Sequence, residues 1–461
     1  GLGGLLSRVL KTEQFEGKTG QVSHFLTGGR LPAARLLAVG LGPKKGSDAE
    51  ALRRGASTGV RRARELGAAT VAVFLPSEVV PARERAQAIV EGATLGTYRF
   101  DKYLKEKNGK VIQALTVVEA DRRTLAAARE GARRGEIWAA STCFARDLVN
   151  EPANVVTPAY LARRAAEIAR AGRLKLRVLD RAQCARLGMA AYLGVARGSH
   201  EPPKFIHLTY APRGRPRRRV AVIGKGITFD SGGLDLKTAD GMRDMKDDMA
   251  GAAAVLGVFK ALSALRLPIE VHGLIAATEN MPSGTAQRPG DIVRAMNGLT
   301  IEIGNTDAEG RLTLADALSY AAKTVKPDEM IDLATLTGAV VVALGTGVSG
   351  VMATDDRLAT RVLAAADAAG ERMWRLPLHE EYKEGIRSPV ADLNNISSQR
   401  GAGAIVAGLF MRDFTGGVPW AHLDIAGTAL TDRELPLGPK GATGVGVRTI
   451  LSYLTSLAGG R

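Results

Sequence analysis

Short apolar runs alternate with helix-forming stretches along most of this chain, and that alternation restricts the folds it can adopt. The runs "ARLLAVGLG" and "AATVAVFLP" end in glycine or proline, and "DAEALRRGASTGVRRARELG" between them has helical spacing. Further along, strand-like "RRVAVIGKG", "PIEVHGLIAAT" and "EMIDLATLTG" alternate with helical stretches. Because continuous apolar runs are typical of buried parallel strands, we predict an α/β fold with a mostly parallel central sheet flanked by helices.

The length of 461 residues exceeds that of one ordinary domain and predicts two or three. We predict a small N-terminal α/β domain over residues 1–122 and a connecting helix over residues 123–150. The helical stretch ends in a Pro/Asn-rich turn, which places the start of a larger C-terminal α/β domain at residue 151, and this domain continues to residue 461.

Composition excludes several classes of protein. Hydrophobic residues make up 45% and charged residues 24%, which is typical of soluble globular proteins. No run of about 18 apolar residues appears, so no membrane span is expected. Cys143 and Cys184 belong to no paired motif, which indicates free thiols and a reducing cytoplasm. The start of the chain lacks a signal peptide and an initiator Met, which leaves room for missing upstream residues.

A formal net charge of +16 raises the question of polyanionic partners. Basic residues cluster in "PRGRPRRR" and in "LARRAAEIARAGRLKLRV". The ordinary interpretation is a solvated loop and a solvated helix face, since neither cluster has interleaved aromatic residues or a nucleic-acid-binding motif. Weak, salt-dependent binding of nucleic acid remains an alternative.

Acidic and basic side chains follow several of the predicted strands. The stretches that contain them are "VIGKGITFDSGG", "LDLKTADGMRDMKDDMAGA" and "NTDAEGRL", with Lys225, Asp230, Lys237, Asp247, Asp248, Asp307, Glu309 and Arg311. Each acid alone has an ordinary explanation, such as a helix N-terminal charge, an Asx turn or a surface ion pair. If "NTDAEGRL" is extended, its two acids and its arginine share one face.

Taken together, these acids predict a metal centre. They lie at the ends of successive strands, so they converge at one edge of the sheet, where ligands bind in such folds. Several carboxylates in one cleft require a compensating cation, and a pair of divalent metals about 3.5–4 Å apart supplies it in two-metal hydrolases. No histidine occurs in these stretches, which favours oxygen ligation of Zn²⁺, Mn²⁺ or Mg²⁺.

Several of these stretches resemble the leucyl aminopeptidase family of two-metal exopeptidases, the cytosol aminopeptidases. The resemblance rests on "GKGITFDSGG", "MKDDMAGAAAV", "ENMPSGTAQRPGDIV" and "NTDAEGRLTLADAL", and it continues through "DLATLTGAVVVALG", "WAHLDIAGTA" and "KGATGVGVR". It covers roughly residues 150–454 and is weaker towards the N-terminus, where the first strand and helix of the family's N-terminal domain are expected to be absent. The variants "LDLK" and "DDMAG" depart from the family's usual "ISLK" and "YDMGG" without removing a ligand.

The resemblance implies a role in metal binding for five matching positions. Asp230 and Glu309 would bridge two divalent metals, and Asp307 would complete one of the two sites. Lys225, as a neutral amine, and Asp248 would complete the other. The metals implied are Zn or Mn, with Mg or Co as further options.

The resemblance also implies the catalytic and substrate-binding residues. Lys237 would stabilise the oxyanion of the tetrahedral intermediate, Arg311 would hold a bicarbonate ion that acts as general base, and Leu336 would offer its backbone to the substrate. The residues implied to line the pocket for the first side chain are Met245, Asn305, Thr335 and Ala426.

These assignments imply a cytoplasmic metalloaminopeptidase that releases N-terminal residues, with leucine or other apolar residues preferred. Its expected substrates are short peptides, its expected assembly is a homohexamer, and no membrane partner is expected. Two alternatives stay open: an added DNA-binding role, and a narrow dipeptidase such as one for cysteinylglycine.

Overall fold

The computed structural model describes residues 4–44, 48–74, 76, 80–106 and 109–459. It divides the chain into two compact units: Gly1–Cys143 with Asp432–Lys440, and Phe144–Thr431 with Gly441–Arg461. Both units combine helices with strands, and the larger one contains a broad sheet flanked by helices. The predicted α/β fold class is therefore confirmed, while the predicted domain boundaries at residues 122 and 150 stay predictions.

Among its described residues, the first unit contains two separate pairs of strands. The first pair is antiparallel and the second is parallel. Its elements are α1 (Leu5–Thr12), β1 (Val22–Leu26), β2 (Arg35–Val39), α2 (Ala49–Glu65), β3 (Thr70–Phe74), α3 (Ala82–Thr97), β4 (Ala114–Val118) and the start of α4 (Leu125–Asn150). Helices α2 and α3 pack closely, because a Cβ atom on Gly92 would lie 1.9 Å from the carbonyl oxygen of Arg53.

The second unit holds the remaining elements. Those up to the middle of the unit are α5 (Pro158–Gly172), β5 (Lys175–Leu179), α6 (Arg181–Arg186), α7 (Ala190–Val195), β6 (Lys204–Tyr210), β7 (Arg219–Asp230), α8 (Ala239–Met242), α9 (Ala250–Leu265), β8 (Glu270–Asn280), β9 (Ile292–Arg294), β10 (Thr300–Glu302) and α10 (Gly310–Tyr320). Those that follow are β11 (Glu329–Ala334), α11 (Gly338–Leu344), β12 (Ser349–Ala353), α12 (Asp356–Ala369), β13 (Met373–Arg375), β14 (Leu393–Asn394), α13 (Gly403–Arg412), β15 (Trp420–Asp424), β16 (Leu430–Thr431), β17 (Gly441–Ala442) and α14 (Val447–Leu457).

The central sheet of the second unit has eight strands in the order β13-β12-β15-β11-β7-β8-β6-β5. Its middle, from β15 to β8, is parallel. On one side β6 pairs antiparallel with both β8 and β5, and on the other β12 pairs antiparallel with β15 and parallel with the edge strand β13. Strand β11 is buried at every residue and β7 at nearly every residue, as expected for strands covered on both faces. The parallel block places the carboxyl ends of β7, β8, β11 and β15 along one edge.

Helix α9 packs closely against the middle of this sheet. A Cβ atom on Gly251 of α9 would lie 2.0 Å from the carbonyl oxygen of Leu333, and one on Gly224 of β7 would lie 2.5 Å from the carbonyl oxygen of Gly251. Only residues without a side chain permit this approach. It brings the start of α9 next to β7, where the predicted metal ligands lie.

One helical stretch, Ala239–Leu265, is long and apolar enough to cross a membrane by length and composition. Of its most apolar window, 78% is buried inside the protein. The stretch includes α9, so its apolar character matches its position against the sheet.

Candidate metal centre

The predicted ligands meet at the carboxyl edge of the parallel strands. Lys225 and Asp230 belong to β7, and Asp248 follows a short helical turn over Met245–Asp247. Asp307 and Glu309 lie in the loop that leads into α10. In the described part of the chain, carboxylate oxygens of Asp230, Asp307 and Glu309 lie within 4.8 Å of one another.

Lys225 lies at the centre of the first group of contacts. Its Nζ atom is 2.7 Å from Oδ1 of Asp248 and 2.8 Å from Oε1 of Glu309. Burial opposes the charged form of this amine, but the surrounding carboxylates outweigh burial and raise its pKa. Divalent cations beside these carboxylates would reverse that balance and favour the neutral amine, which is the form that can bind a metal.

Gly310 makes room for the Lys225 side chain. A Cβ atom on Gly310 would lie 2.7 Å from both Cε and Nζ of Lys225. A larger residue than the glycine in "AEGR" would therefore push the Lys225 amine away from its present position beside the carboxylates.

Lys237 forms the second group of contacts. Its Nζ atom lies 2.9 Å from Oδ2 of Asp230 and 2.5 Å from Oδ1 of Asp307. Burial lowers the pKa of this amine, yet the nearby carboxylates raise it overall. Lys237 is more accessible than Lys225, so a substrate can reach its amine while Asp230 stays buried.

The charges and donor atoms fit divalent cations. Four carboxylates, those of Asp230, Asp248, Asp307 and Glu309, face two lysine amines, so negative charge is in excess. Burial raises the pKa of Asp248, Asp307 and Glu309, which reflects carboxylates drawn together away from water. The buried Oδ2 atom of Asp248 has no hydrogen-bond partner among the described residues and is available as a ligand. Oxygen donors with one amine suit Mn²⁺, Mg²⁺ or Zn²⁺.

Asp247, which is adjacent in sequence to Asp248, occupies a different environment. It is buried, and burial, reinforced by Asp244, raises its pKa to about 7. Of the two adjacent acids, Asp248 is the one whose carboxylate contacts Lys225.

Arg311 lies in the first turn of α10 and does not pair with the acids beside it. Its Nη1 atom donates to the backbone carbonyl of Asn395 at 2.6 Å, and its Nε atom is buried without a partner in the described chain. Burial lowers its pKa to about 10, so the guanidinium remains charged at neutral pH. An unpaired guanidinium N–H beside the acid cluster can receive an anion.

The loop "NTDAEGRL" is a turn followed by a helix, so the extended geometry considered for it is wrong. Oδ1 of Asn305 accepts a hydrogen bond from the backbone N–H of Asp307 at 2.6 Å, and Glu309 already has helical backbone angles. The Asn305 side chain closes the turn as an Asx motif. The turn, rather than strand alternation, places both carboxylates on the same side.

Of the residues predicted to bind substrate, Thr335 contacts this centre directly. Oγ1 of Thr335 donates to Oδ1 of Asp248 at 2.7 Å, and its carbonyl oxygen accepts from Nζ of Lys225 at 3.0 Å. Leu336 and Ala426 lie in the loops after β11 and β15, and both are half-buried. Met245, also half-buried, starts the turn that precedes Asp248.

Sequence reasoning missed two polar residues that hold the acids in place. Nδ2 of Asn280 donates to Oδ1 of Asp230 at 2.8 Å and to the carbonyl of Thr306 at 3.0 Å. Asp235 accepts from the backbone N–H of Thr306 at 2.7 Å and from its hydroxyl at 3.0 Å. Asn280 is the last residue of β8 in the parallel block. The rule that functional side chains lie at the carboxyl ends of parallel strands, which led to Asp230, could therefore also have identified Asn280.

Asn395 was also missed, and no pattern in the sequence pointed to it. Its fully buried side chain accepts from the backbone N–H groups of Gly304 (2.7 Å) and Asn305 (3.2 Å), and it donates to the carbonyl of Asn305 at 2.7 Å. Its own carbonyl accepts the hydrogen bond from Arg311. One asparagine therefore fixes both ends of the loop that carries the acids.

Family models match most of the chain. The cytosol aminopeptidase family catalytic domain matches residues 143–451, and the N-terminal domain of the same family matches residues 1–107. Among curated relatives, a probable cytosol aminopeptidase of Persephonella marina is 46% identical over 460 residues, which cover 98% of this chain and 91% of the relative. Another from Geotalea uraniireducens is 46% identical and covers 99% of this chain and 92% of the relative.

Solved structures agree with this assignment. The bottromycin maturation enzyme BotP in complex with Mn aligns with a TM-score of 0.90 at 42% identity, covering 97% of this chain and 96% of that one. A mutant of tomato leucine aminopeptidase aligns with a TM-score of 0.88 at 40% identity, covering 99% of this chain and 87% of that one. Together with the carboxylate and lysine cluster, these matches show that the chain belongs to the cytosol aminopeptidase family of metal-dependent peptidases.

Proposed function

We propose that this aminopeptidase removes leucine and other apolar residues from the N-termini of short peptides, using two divalent metals and a bicarbonate ion. The observation that carries the proposal is the pairing of four carboxylates with Lys225 and Lys237 at one edge of the sheet. The excess negative charge there is the condition for binding two cations.

Five side chains would hold the metals. Asp230 and Glu309 would bridge them, Asp307 would complete one site, and Lys225 with Asp248 would complete the other. When bound, the metals would supply a water acidified towards hydroxide and an anchor for the free α-amino group of the substrate. The proximity of the Asp230, Asp307 and Glu309 oxygens supports this division.

Lys237 and Arg311 would act on the reacting groups. Lys237 has the more accessible amine, and it would donate a hydrogen bond to the oxygen of the scissile carbonyl as negative charge develops there. Arg311 would hold bicarbonate through its Nε–H, which has no partner among the described residues, and the bound anion would supply a general base. Its retained positive charge supports this role.

A pocket lined by Met245, Asn305, Thr335 and Ala426 would receive the first side chain, with the backbone of Leu336 contacting the substrate. Ala426 packs against a buried apolar cluster of Val340, Met352 and Ala404. An apolar wall of this kind favours leucine over charged residues. A panel of N-terminal residues, including cysteinylglycine, distinguishes a broad aminopeptidase from a narrow dipeptidase.

Metal removal provides the main test. Protein treated with a chelator, with metal loss verified by elemental analysis, is expected to lose hydrolysis of leucine amides and to regain it with Mn²⁺ or Zn²⁺, with Mg²⁺ and Co²⁺ as comparisons. Activity that persists in metal-free protein would contradict the proposal. Omission of bicarbonate is expected to lower the rate for wild type, and an Arg311→Ala variant should be insensitive to it.

We further propose a homohexamer that works in the cytoplasm, where its active sites would admit only short peptides. The family resemblance supports the assembly, and the word "cytosol" in the names of the relatives supports the location. Light scattering checks the assembly: six copies are expected, and a monomer would contradict it.

An added nucleic-acid-binding role has one observation in its favour. The first 143 residues contain 24 Lys and Arg against 14 Asp and Glu, a net charge of +10 out of the total of +16. Such charge density favours salt-dependent binding to phosphates. Absence of a mobility shift with duplex DNA at low salt would exclude the role. A shift that shows no sequence preference and vanishes near 150 mM salt would mean that the binding is non-specific electrostatic attraction.

A further inference from the structure

A buried aspartate joins the two loops that line the proposed pocket for the first side chain. Asp424 is fully buried at the end of β15. Its Oδ1 atom accepts from the backbone N–H of Leu336 at 3.2 Å and from that of Ala426 at 3.3 Å. Its Oδ2 atom accepts from the hydroxyl of Thr337 at 2.7 Å. One carboxylate therefore holds the loop after β11 and the loop after β15 at a fixed separation.

The Thr337 hydroxyl extends this connection into helix α11. It donates to Asp424 and accepts from the backbone N–H of Val340 at 3.1 Å, as the N-cap of the helix. Val340 is a buried member of the apolar cluster that contacts Ala426. The carboxylate therefore sets the position of the apolar wall as well as that of the two loops.

Burying a carboxylate costs free energy even when neutral groups donate hydrogen bonds to it. An uncharged side chain with a hydrogen-bond acceptor would join the two loops at a lower cost. Burial raises the pKa of Asp424, with the nearby His422 and the donors acting in the opposite direction. No salt bridge to a lysine or arginine is found for Asp424 within the described chain. Its charge also acts on the buried guanidinium of Arg311, where it opposes the effect of burial on the pKa. Its two oxygens meanwhile accept hydrogen bonds from three donors, which fixes the two loops to one point.

We propose that Asp424 is a positioning residue for substrate specificity: it fixes Leu336 and Ala426 so that the pocket fits a branched apolar first side chain. The inference rests on the proposed function, because the pocket belongs to the proposed aminopeptidase site. Asp424 has no hydrogen bond or salt bridge to the acids, Lys225 or Arg311 in the described structure. Its charge does act on Arg311, where it opposes the effect of burial on the pKa, but an effect through Arg311 would change the rate for every peptide alike. A change in the preference between peptides therefore reports on the pocket.

The substitution Asp424→Asn tests this with little change in shape. The amide oxygen can still accept from Leu336 and Ala426, but the amide nitrogen then faces the Thr337 hydroxyl. That hydroxyl can accept only by leaving its own proton without a partner, so the loop after β11 shifts. For a leucine peptide we expect kcat/KM to fall about 10-fold or more, mainly through KM, against a change below about 3-fold for an alanine peptide. Bound metal per chain should stay at the wild-type value.

Asp332→Asn provides the matched control. Asp332 is equally buried in the neighbouring strand β11, where it accepts from Nε1 of Trp420 at 2.6 Å and contacts His422. It touches neither loop of the pocket, so its loss should lower stability without changing the leucine-to-alanine ratio. Equal loss for both peptides in the Asp424 and Asp332 variants would overturn the proposal, because it would make Asp424 purely structural.

Thr337 supplies a second pair of variants if Asp424→Asn does not fold. Thr337→Val removes one donor while keeping the carboxylate, and it should lower the leucine-to-alanine ratio in the same direction by a smaller factor. Thr337→Ser keeps both hydrogen bonds, so its leucine-to-alanine ratio should equal that of the wild type. An unchanged ratio in Thr337→Val overturns the inference. Wild-type protein that is inactive on every peptide after metal loading instead overturns the proposed function, so the two failures are distinguishable.

Discussion

The Nζ atom of Lys225 lies 2.7 Å from Oδ1 of Asp248, and both side chains are at least 96% buried. A buried ion pair contributes little net stability when both partners are present, but removing one partner leaves an uncompensated charge. Removing either partner should therefore lower the stability of the protein at this edge of the sheet and, at the same time, remove a proposed metal ligand.

The variant Lys225→Met tests that link. It leaves Asp248 and Glu309 without their shared cation, so we expect metal-free protein to lose about 3–5 kcal/mol of unfolding free energy. With metals added, one of two bound ions and nearly all activity should be lost, since the proposed amine ligand is gone. Denaturant unfolding and elemental analysis measure the two effects. Lys383→Met is the control, because its pair with Asp413 is partly exposed and should contribute no more than about 1 kcal/mol.

The variant Gly310→Ala tests whether the Lys225 amine needs the free space beside Gly310. Alanine is the better helix former, so by backbone preference alone the change would stabilise α10. Its Cβ atom would instead lie 2.7 Å from the Lys225 Nζ atom and displace it. We expect weaker metal binding by about 10-fold or more, in the range seen when groups supporting a metal ligand are disturbed.

Gly338→Ala is the matched control for this experiment. Gly338 is likewise the first residue of a helix, and a Cβ atom there would meet nothing within 4 Å. Metal titration followed by calorimetry should give wild-type affinity for this variant. Equal affinities in the Gly310 and Gly338 variants would contradict the crowding argument.

The sequence was sufficient to locate residues whose role depends on local position. Asp230 ends a parallel strand and Asp248 lies just before a helix, and both positions follow from the alternation of strands and helices. The rule that the carboxyl ends of parallel strands meet at one edge accounts for Asp230 at the end of β7. It does not account for Asp307 and Glu309, because the strand before them, β10, belongs to a separate three-stranded sheet with β9 and β14. The family resemblance then supplied the individual roles.

Residues that act through tertiary contacts could not be predicted. Asn395 lies in an irregular stretch 84 positions from its partner Arg311, and no periodicity marks it. Asp424 looks like one more acid at a strand end, and only the fold shows that it faces two loops instead of the metal cluster. The antiparallel pairing of β12 with β15 was also hidden, because helix α12 and strand β12 follow the same alternating pattern as the parallel strands.

Asn395→Leu tests whether one side chain holds the metal-binding loop. The substitution leaves the half-buried backbone groups of Gly304 and Asn305 without their partner, at a cost of about 1–3 kcal/mol in unfolding free energy. Because the loop carries Asp307, Glu309 and Arg311, we also expect activity to fall at least 10-fold. Thermal unfolding and kcat measure the two effects.

Asn297→Leu is the control for that variant. Asn297 also bonds backbone groups on both sides, accepting from Leu299 and donating to the carbonyl of Asp413. It supports no residue of the metal centre, so stability should fall while activity per folded molecule stays near wild type. A similar activity loss in both variants would assign Asn395 a general structural role.

Stability should also depend on pH through a pair of histidines outside the metal centre. Nε2 of His207 lies 2.8 Å from Nδ1 of His272, and Nε2 of His272 lies 2.8 Å from Oε1 of Glu270. Every contact in this series is a hydrogen bond when each ring is neutral and carries its proton on Nε2. His207 then donates to His272, His272 donates to Glu270, and the Tyr320 hydroxyl donates to Nδ1 of His207. Burial, reinforced by His272, lowers the pKa of His207 to about 4.

The sign of the effect follows from this lowered pKa. The unfolded chain binds a proton at His207 near pH 6.5, whereas the folded protein binds it only near pH 4, so stability is greatest above pH 6.5 and is lost as the pH falls towards 4. One such proton corresponds to about 3 kcal/mol across that window. Denaturant unfolding of metal-free protein between pH 7.5 and 4.5 should show a smaller loss for His207→Gln than for wild type. His379→Gln, at an exposed position, should retain the wild-type slope, and parallel slopes for all three proteins would contradict the assignment to His207.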